Sequence, residues 1–193
     1  ATSYVNICME GGMTAGDMVL IQAGASGLGM AAIQLVKTLG GKVMATVSTE
    51  EKADFVRSLG ADVVVNRTVE DLATVMEEHP VDIAMDCISG PAMGQCIEKM
   101  AIGGRWIVIS TLAGPTTEIN VNLFFRRGIK LIGSTLRSRA PEVKAEILAG
   151  VERHLWEPFS AGTVKPVIYK TLPITEAEEA HAILERRENI GKV

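Results

Sequence analysis

The chain has 193 residues, a length at which folding buries roughly 70% of the surface an extended chain exposes, enough for one substantial core. Its 19 Lys and Arg against 23 Asp and Glu give a formal charge of -4, which provides no broad basic field and argues against nucleic acid or an anionic membrane surface as partner. The longest apolar runs, such as Trp106-Ile107-Val108-Ile109, fall far short of the roughly 18 residues that span a bilayer, and no charged-then-apolar leader opens the chain.

The three cysteines, Cys8, Cys87 and Cys96, lack the close pairing of a zinc ribbon or a disulfide scaffold and suit a reducing, cytoplasmic setting.

In chain order, a helix is predicted over TSYVNICMEGG, then a strand over 18–23 (MVLIQA), a helix over 27–39 and a strand over 42–47 (KVMATV). There follow a helix over 49–59, a strand over 63–66 (VVVN), a helix over 68–79 and a strand over 81–87 (VDIAMDC). A helix over 90–101, a strand over 104–110 (GRWIVIS), a short helix near 122–127 and a strand over 129–135 (IKLIGST) complete the alternation. Strands apolar on both faces, separated by amphipathic helices of about 10 to 13 residues, call for a parallel sheet covered on each side. The expected fold is a doubly wound α/β sheet of six parallel strands with helices on both faces, a Rossmann fold.

Punctuation agrees. Ser48-Thr49-Glu50-Glu51 has the capping-box spacing, Gly60 follows Leu59 where a left-handed residue ends a helix, and Pro91 stands where a first turn begins. Beyond residue 135 come a long helix at about 140–156, an extended piece VKPVIYKTLP and the helix TEAEEAHAILERRE. The chain stops at Asn189-Ile190-Gly191-Lys192-Val193, where a strand begins. A piece of a longer protein is the expectation.

The stretch Gln22-Ala23-Gly24-Ala25-Ser26-Gly27-Leu28-Gly29 joins the first strand to its helix. Amides gathered at a helix N-terminus favour a pyrophosphate, and glycines let it approach. The spacing is G-x-x-G-x-G, not the usual dinucleotide fingerprint, so by itself it also fits a plain strand-to-helix turn.

NAD-binding folds place an Asp or Glu about 20 residues past the glycines, on the ribose hydroxyls. Here that count lands on Val47, Ser48 and Thr49, with no carboxylate. Ser48, Lys52 one turn later and Arg67 after the third strand can instead surround a 2'-phosphate. The plainer alternative is a cap, a solvated lysine and a loop charge. Two charge-assisted hydrogen bonds at roughly 1.5 to 3 kcal/mol each would favour NADPH over NADH by about 10² to 10⁴, with Glu50 and Glu51 opposing.

Other constellations fail. His79, His154 and His181 are scattered without ligand partners, so no metal site is expected. Tyr169 is followed four residues later by Pro173 and not by the Lys of short-chain reductases. Gly24-Ala25-Ser26-Gly27 brings its second Gly one residue early for a hydrolase elbow.

Ala-Gly-Ala-Ser-Gly-Leu-Gly, Asp86-Cys87-Ile88-Ser89-Gly90, Gly103-Gly104-Arg105-Trp106, Leu123-Phe124-Phe125-Arg126-Arg127-Gly128 and Ser134-Thr135-Leu136-Arg137-Ser138-Arg139 together carry a resemblance. The chain resembles the zinc-free, zeta-crystallin-like quinone oxidoreductase branch of the medium-chain dehydrogenase/reductase superfamily, over essentially its whole length. The resemblance implies a cofactor-binding domain over 1–193, whose tail at about 157–193 packs on an upstream substrate domain that is missing here. It implies hydride transfer from NADPH, less readily NADH, to a quinone or conjugated enone.

Carried over residue by residue, Ser26, Gly27, Leu28 and Gly29 would hold the pyrophosphate, and Ser48 with Lys52 the 2'-phosphate. Arg67 stands where relatives often have Tyr. Ser110, Thr111 and Leu112, with Ser134, Thr135 and Leu136, would line the nicotinamide. No catalytic acid is assigned. The family also implies a homodimer through the edge strand near 129–135, and the isolated piece should be weakly active or inactive. A nucleotide-sensing regulatory Rossmann module is the alternative, and a methyltransferase is disfavoured because the second strand ends Thr46-Val47-Ser48 without an acidic residue.

Overall fold

In a computed structural model describing residues 1–193, six strands form one parallel sheet in the order β3-β2-β1-β4-β5-β6. They are β1 (Met18–Ile21), β2 (Lys42–Val47), β3 (Val63–Asn66), β4 (Ile83–Asp86), β5 (Arg105–Val108) and β6 (Lys130–Gly133). The helices are α1 (Thr2–Tyr4), which continues as a π-helical segment Val5–Glu10, then α2 (Gly27–Thr38), α3 (Glu50–Ser58) and α4 (Leu72–Glu78). After them come α5 (Pro91–Ile97), α6 (Val121–Arg126), α7 (Pro141–Ser160) and, behind a 3₁₀ turn at Ile174–Glu176, α8 (Ala177–Glu185).

The period of two along each strand sorts its side chains into two cores. Val19, Ile21, Val43, Ala45, Val47, Ile83, Met85 and Ile107 face one way, against Tyr4, Met30, Ile33, Val56 and Ile147 of α1, α2, α3 and α7. Leu20, Met44, Val65, Ala84 and Trp106 face the other way, against Met76 of α4 and Met93 and Ile97 of α5. Both faces are thus covered, and the expected doubly wound sheet is the observed one. At the margin, β6 pairs only with β5; Leu131 there is 44% exposed, and α6 buries none of its residues.

Several elements are shorter than their apolar patterns, because side chains near their ends capture backbone groups that would otherwise extend them. Asn66 Oδ1 accepts from the Thr68 N–H at 3.2 Å, and the Glu70 carboxylate accepts from the Asn66 N–H at 2.8 Å. Residues 67–70 therefore turn, and α4 starts only after its cap Asp71. Asp86 ends β4 by accepting from the N–H groups of Ile88 and Ser89. Conversely, α7 runs through Pro158 to Ser160; in the last turn a proline removes only one ladder bond. The piece 164–173 forms no strand and makes one isolated bridge, Ile168 to Lys192.

Candidate functional site

After β3 the chain crosses the sheet to β4, on the other side of β1. A crevice opens at the C-terminal ends of neighbouring strands where such a reversal occurs. Into it runs the glycine loop. The N–H groups of Ala23 and Gly24 donate to Thr46 Oγ1 and O at 3.1 and 2.8 Å, leaning the loop on β2. Ser26 caps α2, its Oγ accepting from the Gly29 N–H at 3.0 Å and its carbonyl from Met30. The Leu28 N–H has no acceptor in the chain, and the Gly27 N–H makes no close bond, facing Gly191 O across the bridge that joins Ser26 to Gly191. Two donors without a close partner at the positive end of a 12-residue helix form a seat for an anion.

The glycines divide their work. A Cβ on Gly29 would run into the backbone of Ala23 and Gly24, so this glycine lets α2 approach its own loop. At Gly27 the atoms nearest to an added Cβ are the methylenes of Lys192. The chain end is fastened there as well: the Gly191 N–H donates to Ala25 O at 2.9 Å, in a parallel bridge with Ser26.

On the β2–β3 side, the Arg67 N–H donates to Val47 O at 3.1 Å, which puts Arg67 beside Ser48. The capping-box expectation is corrected by one residue: Thr49, not Ser48, caps α3, accepting from the Lys52 N–H at 3.2 Å. Ser48, half-buried, is left with no capping duty. Lys52 Nζ donates to the carbonyl of Arg187, a residue in the left-handed region at φ 57. Burial lowers the Lys52 ammonium below its ordinary pKa, Glu51 opposes this, and Arg67 and Arg187 lower it further. Lys52, Arg67 and Arg187 make no ion pair. The nearby Glu50 instead accepts from Asn66 Nδ2 at 2.7 Å. A cationic corner without a carboxylate partner results.

The other side is organised by Asp86, fully buried at the end of β4. Its Oδ1 accepts from Gln22 Nε2, Ile88 N and Ser89 N, and its Oδ2 from Trp106 Nε1 at 2.9 Å. Four donors suit a buried carboxylate. They also fix the turn 87–90, where Ser89 and Gly90 both have positive φ. Ser89 Oγ donates to Ser110 O at 2.9 Å, and the Leu112 and Ala113 N–H groups donate to Cys87 O and Ile88 O. Ser110, Thr111 and Leu112 are held beside this turn, exposed.

Ser134 follows β6, its N–H donating to Val108 O. It is buried, Thr135 is exposed, and Leu136 packs on the larger core. Cys87 lies half-buried among these loops, its thiol pushed up to about 11 by burial and then by Asp86. No group of three or more His, Cys, Asp or Glu is placed to hold a metal ion.

All thirteen residues singled out in the sequence thus lie along one edge of the sheet, with Ser26 to Gly29 in the middle. Ser48, Lys52 and Arg67 lie on one flank, Ser110 to Leu112 and Ser134 to Leu136 on the other. Sequence reasoning missed Arg187, Lys192 and the Gln22–Asp86–Trp106 group. Only the last left a signal, an aspartate closing an apolar strand. A roomy cleft bordered by Asp71, Glu77, Glu98 and Thr117 lies on the α4–α5 face and contains none of the thirteen.

Residues 27–152 match the family model described as zinc-binding dehydrogenase. A 2-haloacrylate reductase from Burkholderia sp is 30% identical over 184 residues, which cover 92% of this chain and 55% of that protein. The quinone oxidoreductase of Homo sapiens is 27% identical over 184 residues, covering 93% of this chain and 54% of the relative. Among solved structures, a quinone oxidoreductase of Pseudomonas syringae pv. Tomato DC3000 superposes with a TM-score of 0.84 at 23% identity, over 99% of this chain and 60% of that one. At that identity the likeness concerns the fold. The chain spans about half the length of the curated relatives it matches. No helix is long and apolar enough to cross a membrane.

Proposed function

This chain belongs to the zinc-binding dehydrogenase family, within the medium-chain dehydrogenase/reductase superfamily, and from that premise we propose that it is the NADPH-binding half of a zinc-independent reductase for quinones or conjugated enones. The observation that carries the reading is the pair of N–H groups on Gly27 and Leu28 that make no close bond in the chain, set between a cationic corner and an uncharged rim. Those donors, with Ser26 and Gly29 shaping the loop, would hold the pyrophosphate. Ser48, Lys52 and Arg67, joined by Arg187, would hold the 2'-phosphate that distinguishes NADPH from NADH. Ser110 to Leu112 and Ser134 to Leu136 would line the nicotinamide.

When bound, the nicotinamide supplies a hydride, so the protein needs no metal or nucleophile of its own. What the chain supplies is orientation and exclusion of water. Asp86 and its four donors fix the turn beside the rim, and Cys87, with its thiol pushed up to about 11, brings no charge there at neutral pH. The names of both relatives, a haloacrylate and a quinone enzyme, point to an electron-poor double bond beside a carbonyl as acceptor.

The tail over 157–193 leaves Ile168, Tyr169 and Ile174 exposed, and we assign this surface to packing on a further, substrate-binding domain. The chain alone would therefore bind cofactor yet reduce quinone weakly. The open edge of β6 would pair with its copy in a homodimer, and three free thiols suit a cytoplasmic setting.

Fluorescence titration with NADPH and NADH tests the reading. NADPH should bind about 10-fold to 100-fold more tightly, and Lys52→Ala or Arg67→Ala should remove most of that preference. Equal affinities in the unaltered chain would overturn the NADPH assignment.

A further inference from the structure

Loop 134–139, which follows β6, is closed by one guanidinium. Arg139 Nε donates to Thr135 O at 2.9 Å, and Nη2 donates to Ser134 Oγ at 3.1 Å and to Glu10 Oε1 at 2.6 Å. The same side chain thus grips two of the six residues that would line the nicotinamide and anchors them on the last residue of the π-helical segment. A second closure, Thr135 Oγ1 with Ser138 Oγ at 2.6 Å, tightens the turn. Arg139 and Glu10 keep only 22% and 28% of their side-chain surface exposed, so both are held by their surroundings as well as by each other. The neighbouring Arg137 is a contrast: it is exposed and its guanidinium makes no bond.

A surface arginine serving only as a tether needs one partner. Three convergent bonds from a planar fork, two of them to consecutive loop residues, fix the loop's conformation instead. Ser134 also continues the β5 ladder through its N–H bond to Val108 O, so its backbone is fixed by the sheet and its side chain by Arg139. Thr135 has no sheet bond and depends on Arg139 and Ser138. Glu10, in turn, neutralises the guanidinium.

We propose that Arg139, held by Glu10, is a positioning residue that presets the nicotinamide rim at Ser134 and Thr135, and so governs how the nicotinamide half of the cofactor is seated without touching the adenine half. This rests on the cofactor reading above. The set-up predicts a loss confined to one end of the ligand, which a general loss of packing would not give.

The probes are NADPH and 2'-phospho-ADP-ribose, which keeps the adenine, both ribose units and all phosphates but lacks the nicotinamide. In Arg139→Met, the Kd for NADPH should rise about tenfold and that for the analogue no more than about twofold, with loss of the emission gain of bound NADPH. Arg139→Lys, which keeps the charge but not the fork, should recover part of the difference. Arg137→Met, the same charge change on the same loop, should behave as the unaltered chain.

Equal weakening of both ligands, or of neither, overturns the assignment. If Arg139→Met does not fold, Glu10→Gln carries the test with the same ligand-selective loss, about threefold, and a non-selective result there overturns it too. An unaltered chain that binds neither probe would overturn the cofactor reading itself; one that binds both, with unselective variants, overturns only the role of Arg139.

Discussion

Lys52 donates its ammonium proton to the backbone carbonyl of Arg187, joining the first turn of α3 to the end of α8 across 135 positions of sequence. The contact brings the Arg187 charge to the corner where Ser48 and Arg67 stand. It also holds a non-glycine residue in the left-handed region, which ordinarily costs about 1 to 2 kcal/mol.

Stability and cofactor choice should therefore move in opposite directions in Arg187→Gly. The melting temperature is expected to rise by the release of about 1 kcal/mol of backbone strain. The Kd for NADPH should rise about tenfold while that for NADH stays within about twofold. Calorimetry and titration on one preparation read both, and a parallel loss for the two nucleotides would exclude a 2'-phosphate role for the guanidinium.

The two neighbouring loop glycines should respond differently to one added methyl. Gly29→Ala forces a Cβ into the Ala23 and Gly24 backbone and is expected to cost about 2 kcal/mol or more in denaturant unfolding, together with nucleotide affinity. Gly27→Ala meets the flexible Lys192 side chain first, and its unfolding midpoint should stay close to that of the unaltered chain.

The sheet's β2 end carries a pH-dependent clasp. Lys37 Nζ contacts both oxygens of Asp62, at 3.0 and 2.9 Å, and the Val43 N–H donates to the same carboxylate at 2.7 Å. Burial by itself would raise the Asp62 pKa, but the Lys37 bond, the Val43 N–H and the Lys37 and Lys42 charges outweigh it and set it below the ordinary 3.8. A depressed folded pKa means that the contribution is complete above 3.8 and fades as pH falls through the lower folded value. Asp62→Asn should thus cost about 1 kcal/mol at pH 7, discounted for screening because the carboxylate is 37% exposed, and progressively less as the pH falls below 3.8. Urea midpoints for the two proteins, measured across that range, should converge on the acid side.

The open margin of the sheet gives an assembly prediction. A strand with one row of unpaired N–H and C=O groups and an exposed leucine is expected to pair with its copy, giving a dimer at micromolar concentration in sedimentation. Leu131→Lys should shift the population to monomer with little change in melting temperature, since the side chain is already half in water.

The sheet was legible because its strands are apolar on both faces, a pattern that only a doubly covered parallel sheet needs. Strand and helix ends were less so. Asn66 and Asp86 stop their strands through side-chain bonds that compete with the ladder, and nothing in a hydrophobic pattern weighs that competition. The capping box at Ser48 illustrates the same limit, since Ser48 and Thr49 are chemically alike as caps and only the backbone turn selects Thr49. In the site, local motifs supplied the loop and both flanks. Arg187 and the donors around Asp86 escaped because their partners lie far along the chain; Gln22 and Trp106 meet Asp86 from 64 and 20 residues away.

The bond from Gly191 to Ala25, with Lys192 laid across Gly27, makes the chain's final residues one side of the anion seat. Opening of that terminal segment and occupation of the seat are then thermodynamically linked, because a ligand that needs the closed arrangement suppresses its fraying by mass action. The seat's occupancy becomes readable at a distance from the ligand, as slowed amide hydrogen exchange at Gly191 and Lys192.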